Sequence, residues 1–272
     1  MGFSSVSVVA ANGFIPDEFI KLFGLNSDEK IQTANSIGSS LNISDESNGY
    51  TLTAEGFLED SNNISILFKI EKTDGSSLAD SNIPCTDLGF DKDITSQQWE
   101  STSSHLIEDE YNDQCIKFLH TYHFKDAIKS DLEITLGDFA LYFGEKCEKI
   151  ETKWTLNIPF DAKDCSVDLA TKQKISIGDK TGTLDELRIS PIGYTIKITS
   201  SDDIHDNELI KNIDGNTLLY LKNGQTIDLI GGGGPSYNDD GTWTFTLFRT
   251  FDKLIPLEDM EKIVIADQEI SF

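Results

Sequence analysis

His120 and His123 form an H-x-x-H pair, with Cys115 shortly before them. On a helix, residues three apart share a face and could hold a transition metal; on a strand they point to opposite faces. Ile116, Phe118, His120, Tyr122 and Phe124 alternate with other residues from Ile116 to Phe124. That period predicts a strand, with the two imidazoles facing opposite ways and sharing no ion. His105 and His205 stand alone in polar stretches. Ser236-Tyr-Asn-Asp-Asp-Gly241 has the oxygen-rich look of a calcium loop. It begins with Ser236 where such a loop needs an acid, and has Leu247 where it needs a bidentate Glu. A β-turn leading into the Trp243 strand is the better reading. Asp202-Asp203 and His205-Asp206-Asn207-Glu208 read as a solvated acidic loop. Gly231–Gly234 ends in Pro235 and lacks the Lys-Ser/Thr and following helix of a phosphate-binding loop, so it reads as a loose connection. Trp154 and Trp243 alternate with apolar residues, as core residues do. Trp99 lies in a polar region and is the one candidate for an exposed sugar-stacking platform.

No Ser/His/Asp grouping, carboxylate pair or nucleophile elbow stands out. A nucleophile without its base does not make an enzyme. The sequence therefore predicts no catalytic, cofactor-binding or metal-binding residues. Its largest clefts, expected between domains or under the 72–112 loops, should lack a His or Cys hydrogen-bonded to an acid beside an oxyanion site. Cys85, Cys115, Cys147 and Cys165 show no C-x-x-C spacing, which argues against a zinc or redox motif. Cys115 starts one strand-like run and Cys147 follows the run expected to pair with it, so Cys115–Cys147 is the favoured bridge.

The surroundings narrow the partners. Twenty-two Lys and Arg stand against 47 Asp and Glu, a formal net charge of −25. Such a surface repels nucleic-acid backbones and anionic membranes. It suits solubility outside a cytoplasm, or a basic or metal-ion partner. Met1–Ala11 is apolar and small-residue-rich but too short to span a bilayer, and no basic residue precedes it. It resembles the outer end of a longer spanning or signal segment, with an ordinary buried N-terminal strand as the alternative.

Most of the chain is built of period-two alternation. Tyr50, Leu52 and Ala54 share a face; Ile64, Ile66, Phe68 and Ile70 repeat the pattern after Asp60-Ser-Asn-Asn63. Residues 14–37 read as short helices: Pro16-Asp-Glu suits a first turn, Phe19, Leu22 and Phe23 fall at helical spacing, and Asn26-Ser-Asp-Glu29 caps a second helix. Gly38 to Asn48 reads as polar linker, and residues 72–112 as a long loop region with minor strands. Further runs, Leu132–Leu136, Phe139–Phe143 and Trp154–Ile158, complete a first β domain. After the polar joint Asp161–Asp168 come seven or eight short runs, with a hairpin signal at Asn223-Gly224. Strands joined by turns without crossover helices argue for sandwiches. The expected fold is all-β: an N-terminal membrane-proximal segment with short helices (1–44), then two consecutive immunoglobulin-like β-sandwiches (45–162 and 163–272).

Several segments have a familiar order: Asn48-Gly-Tyr-Thr-Leu-Thr-Ala-Glu, Asn63-Ile-Ser-Ile-Leu-Phe-Lys-Ile, Asp74-Gly75 and Lys153-Trp-Thr-Leu-Asn-Ile-Pro-Phe. Leu187-Arg-Ile-Ser-Pro-Ile-Gly-Tyr, Leu219-Tyr-Leu-Lys-Asn-Gly and Phe251 to Ile263 follow. Over residues 45–272 the chain resembles the extracytoplasmic part of uncharacterised, membrane-anchored, anti-sigma-factor-like proteins of Gram-positive bacteria. The resemblance implies a non-enzymatic sensing or interaction module outside the cytoplasm. It would be anchored through a segment N-terminal to this chain, with a protein or cell-envelope component as partner. It carries over no site residue. The alternative is a secreted or cell-surface carbohydrate- or cell-wall-binding module. A weaker third reading is a hydrolase with its site in residues 72–112.

Overall fold

The computed structural model describes residues 15–78, 87–107, 114–143, 146–160, 165–169, 172–202, 213, 216–229, 231–266 and 268–272. Two compact units divide between residues 164 and 165. Both are all-β with antiparallel sheets, and each has its own apolar core.

The first unit opens with two helices, α1 (Asp17–Leu22) and α2 (Asp28–Ile37). Ser27 caps α2 by accepting the Lys30 N–H, and Asp28 and Glu29 fill the first turn. The strands are β1 (Gly38–Ser47), β2 (Tyr50–Glu59), β3 (Asn63–Lys72), β4 (Asp87–Thr95), β5 (Trp99–Leu106), β6 (Cys115–Phe124), β7 (Leu132–Phe143) and β8 (Lys146–Ile158). One sheet runs β1-β2-β3-β6-β5 and the other β4-β7-β8. Leu52, Ile66, Phe68, Phe118, Leu136, Phe139 and Trp154 meet in one buried core between them. The proposed linker Gly38–Asn48 is in fact strand β1: Leu41 and Ile43 turn into the core, and the strand pairs with β2. Its polar residues obscured that role. They have a use, because Asp45 accepts the Thr155 N–H, Ser47 the Lys153 N–H, and Asn48 donates to the Glu151 carbonyl. These side chains satisfy backbone groups of β8, an edge strand of its sheet.

The second unit contains β9 (Val167–Asp168), β10 (Lys174–Ile177), β11 (Lys180–Ile189), β12 (Gly193–Ser200), β13 (Thr217–Leu221), β14 (Thr226–Asp228), β15 (Gly232–Tyr237), β16 (Trp243–Thr250), β17 (Met260–Ile265) and β18 (Gln268–Ser271). One sheet runs β10-β11-β12-β16-β15, with β9 beside β11; the other runs β14-β13-β17-β18. Asn223-Gly224 makes the β13–β14 turn as expected, with Gly224 at φ 85°. Gly231–Gly234 departs from the loose-loop reading. Gly232–Tyr237 is a strand paired with β16. Gly233 sits at φ 109°, and a Cβ there would run into the Thr246 carbonyl oxygen. Only glycine lets this edge approach so closely.

The two units repeat one another. The order β1-β2-β3-β6-β5 matches β10-β11-β12-β16-β15, and the pairing β4-β7-β8 matches β13-β17-β18. Register breaks also match: one after Ala54 in β2, one after Leu184 in β11. So do the turns. The Asp60 carboxylate accepts the Asn62 and Asn63 N–H groups, and the Ser190 hydroxyl accepts those of Ile192 and Gly193. Phe124 N–H bonds to Asn62 O and Ile128 N–H to Ser61 O, as Phe251 does to Ile192 and Ile255 to Pro191.

The units differ on the outer face of their larger sheet. In the first, buried Leu58, Leu67 and Leu119 lie outside the intersheet core, under the helices. Gly56 leaves room for Pro16 there: an added Cβ would stand 2.6 Å from its ring. The matching registers in the second unit hold Arg188, Lys197 and Thr246. A polar face needs no helical cover.

Candidate functional site

The first unit gathers its acid–base chemistry at β4, β5 and β6. β6 faces the core with Phe118, His120, Tyr122 and Phe124, and β5 is registered so that Ser104 stands beside His120 and Thr102 beside Tyr122. Asp93 comes from the opposite sheet. In β7 the positions that enter the intersheet core are Leu132, Ile134 and Leu136, then Phe139 and Leu141. The parity changes at Gly137–Asp138, where β8 slips register and Asp138 takes φ 51°. β4 follows the same change. Leu88 is buried opposite Leu141, and Phe90, opposite Phe139, lies against the core; beyond the break Asp93 takes the place opposite Leu136. A bulge here re-aims a carboxylate that simple alternation would send to solvent.

The His120 ring is almost wholly buried, at 3% exposure, and the Asp93 side chain is 12% exposed. Nε2 of His120 lies 2.9 Å from Asp93 Oδ2 and 2.9 Å from Thr102 Oγ1. Nδ1 lies 2.5 Å from Ser104 Oγ. The Tyr122 hydroxyl donates to Asp93 Oδ1 at 2.7 Å. Burial, then the Asp93 charge and that hydrogen bond, holds the Tyr122 phenol well above its ordinary pKa, so it stays a donor. An ionised carboxylate only accepts. Nε2–H therefore donates to Asp93, and in the neutral ring Nδ1 is left to accept the Ser104 hydroxyl proton. Phe90, Phe118 and Tyr122 present edges or faces to the imidazole, with centroids 6.1, 6.4 and 4.6 Å away. The sequence did not point to this His–acid pair. Sequence spacing gave no signal, since Asp93, Ser104 and His120 lie on three strands and two sheets.

His123 lies on the opposite face of β6, as the alternation predicts. Its Nδ1 is 2.8 Å from Asn63 Oδ1, and Asn63 in turn donates to Asp60. Burial lowers the His123 pKa to about 4. Glu100 stands 3.8 Å from Nε2, too far for a hydrogen bond, and desolvation prevails. Lys117, three strand repeats away on that face, pairs with Glu18 of α1 and Glu55 of β2. Burial alone lowers the Lys117 pKa, but its hydrogen bonds to Glu18 and Glu55 outweigh that and raise it.

The other singled-out residues form no centre. His105 is exposed on β5, in a strand and not a loop; His205 lies outside the described residues. Trp99 is on β5 against the core, not an exposed platform, because β5 turns it inward opposite Phe124. Trp154 is fully buried and Trp243 is half-buried against the second core. Asn238-Asp-Asp-Gly241 turns β15 into β16, and Asp240 is occupied by the Thr242 N–H and hydroxyl. Asp202 accepts the Thr181 N–H; residues 203–208 are outside the described residues. Cys115 and Cys147 form no bridge: β6 pairs with β3 and β5, while β8 belongs to the other sheet with β7. Cys85 is outside the described residues. Among the described residues no three His, Cys, Asp or Glu are grouped to hold a metal. No helix among them is long and apolar enough to cross a membrane.

No family model matches the chain, and no curated protein matches it. A solved structure does: the crystal structure of a conserved domain protein from Bacillus anthracis, at 16% identity and TM-score 0.51. The match covers 89% of this chain and 82% of that one. At that identity the likeness speaks for the fold, and it spans both units.

Proposed function

We propose that the chain is a sensing and interaction module, not a turnover enzyme, and that it acts outside the cytoplasm as part of a membrane-anchored regulator resembling anti-sigma factors. The observation that carries this reading is the duplicated frame. Two units with the same strand order and the same turns present different side chains on equivalent faces, which is how a repeated scaffold diversifies recognition. Immunoglobulin-like describes these sandwiches best. The charge of −25 favours a partner with a basic face. The test is capture from solubilised cell envelope with the full chain as bait. One protein should be retained in proportion to bait and released by salt. Retention no better than on an equally acidic β-sandwich control would reject the reading.

A cell-wall glycan is the second reading, and Tyr237 favours it. That ring is 65% exposed at the β15–β16 tip and lies 5.1 Å from the Trp243 ring, the arrangement of an aromatic sugar contact. Calorimetric titration with soluble peptidoglycan fragments tests it. Binding lost in Tyr237→Ala supports the glycan, and heats identical in the variant exclude this tip.

A further inference from the structure

We infer that Ser104 is an activated nucleophile that accepts an acyl group from a small carboxylic ester, with His120 as its base and Asp93 as the positioning residue. The inference goes beyond the binding role above, which stands or falls without it. Three observations carry it. The hydrogen-bond chain is continuous: Ser104 Oγ to His120 Nδ1 at 2.5 Å, and His120 Nε2 to Asp93 Oδ2 at 2.9 Å. This is the nucleophile–base–orienter relation, recognised by geometry and not by sequence order. The Tyr122 hydroxyl and the aromatic rings around the imidazole fix the orienting carboxylate and the base in turn. Ser104 itself is half-buried on β5, an edge strand of its sheet, and is not closed off from solvent as the His120 ring is.

The second unit supplies an internal control. In the matching register, Leu247 of β16 stands where β6 has His120, and Gly233 of β15 stands where β5 has Ser104. The same strand order is built there with an apolar side chain and none. The fold does not require the polar chain, and buried polar groups are costly when imperfectly paired. Its presence in one repeat alone points to use.

The step balances without a cofactor. The Ser104 oxygen bonds to the carbonyl carbon while its proton passes to Nδ1 of His120. The resulting imidazolium keeps its Nε2–H on Asp93. The bond from carbonyl carbon to the alcohol oxygen then breaks, and Nδ1 returns the proton to the departing alkoxide. The chain is left carrying one acyl group on Ser104 and a neutral His120. A single transfer of this kind marks the protein and needs no turnover, which is compatible with a sensor.

The test is labelling of the full chain with a fluorophosphonate, which replaces the ester by a phosphorus centre and loses fluoride, followed by peptide mapping. One adduct at Ser104 is expected, absent in Ser104→Ala. Its rate should fall about 100-fold in His120→Gln, the lower end of general-base effects. Asp93→Asn should slow it, and Asp93→Glu should restore part of the rate, a rescue that a packing role alone does not give. If His120→Gln does not fold, wild type in urea replaces it: the Ser104 adduct should then vanish with the fold. A folded chain that takes no label at Ser104, or takes it at a rate unchanged in His120→Gln or in urea, overturns the inference.

Discussion

Acidification should unfold the first unit through His123. Its pKa is lowered from 6.5 to about 4 by burial beneath the sheet's outer face, while an unfolded chain restores the ordinary value near 6.5. The folded state therefore binds this proton less tightly than the unfolded one. Above pH 6.5 neither state is protonated and the stabilising difference is fully present. As the pH falls from 6.5 towards 4 the unfolded chain takes up the proton first, and stability is lost progressively. Below about 4 both states carry it and the loss is complete. The fall from 6.5 to about 4 corresponds to about 3 kcal/mol, an upper figure because Glu100 stands within reach of an imidazolium. The assay is urea denaturation at steps between pH 7 and 4, comparing wild type with His123→Gln, which keeps a donor for Asn63 Oδ1 and cannot titrate. The comparison removes carboxylates such as Glu18, whose protonation adds its own acid loss lower on the scale. Wild type should lose about 2–3 kcal/mol more than the variant across this window. An NMR titration should show the His123 ring protons unmoved above pH 5.5. Equal pH slopes in the two proteins, or a His123 resonance titrating near 6.5, would refute the reasoning.

The duplicated frame gives a paired prediction. Leu67→Lys places an ammonium beneath the helices and should cost more than about 3 kcal/mol by urea denaturation, whereas Lys197→Leu at the matching register should stay within about 1 kcal/mol. Equal costs would deny that the two outer faces differ. Gly233→Ala should destabilise the second unit by about 2–4 kcal/mol, because φ 109° and the Thr246 carbonyl both oppose a side chain; a melting temperature within a degree of wild type would contradict it. Lys117→Ala leaves Glu18 and Glu55 facing each other without their cation and should cost about 1–3 kcal/mol. Limited proteolysis should then cut first near α1, and an unchanged cleavage pattern would argue against that anchor.

Much of the frame was legible in the chain because it rests on local periodicity. The Tyr50–Ala54 and Ile64–Ile70 alternation became β2 and β3, Pro16 and Ser27 opened the two helices, and Asn223-Gly224 turned a hairpin, each set by short-range sterics and hydrogen bonding. The opposed directions of His120 and His123 followed from strand geometry alone. Errors arose where composition outweighed pattern. The polar residues of Gly38–Ser47 hid a strand whose partners are distant backbone groups on β8, and the glycines of β15 hid a strand held by close approach to β16. Register was decided only in three dimensions. A pair of strands can be read as strands long before it is known which residues oppose each other. A one-residue change of phase at Gly137–Asp138 turns Asp93 from the surface into the core. His120 could be assigned a face from its own sequence, but its partners could not, because Ser104 and Asp93 reach it across two separate sheet registers.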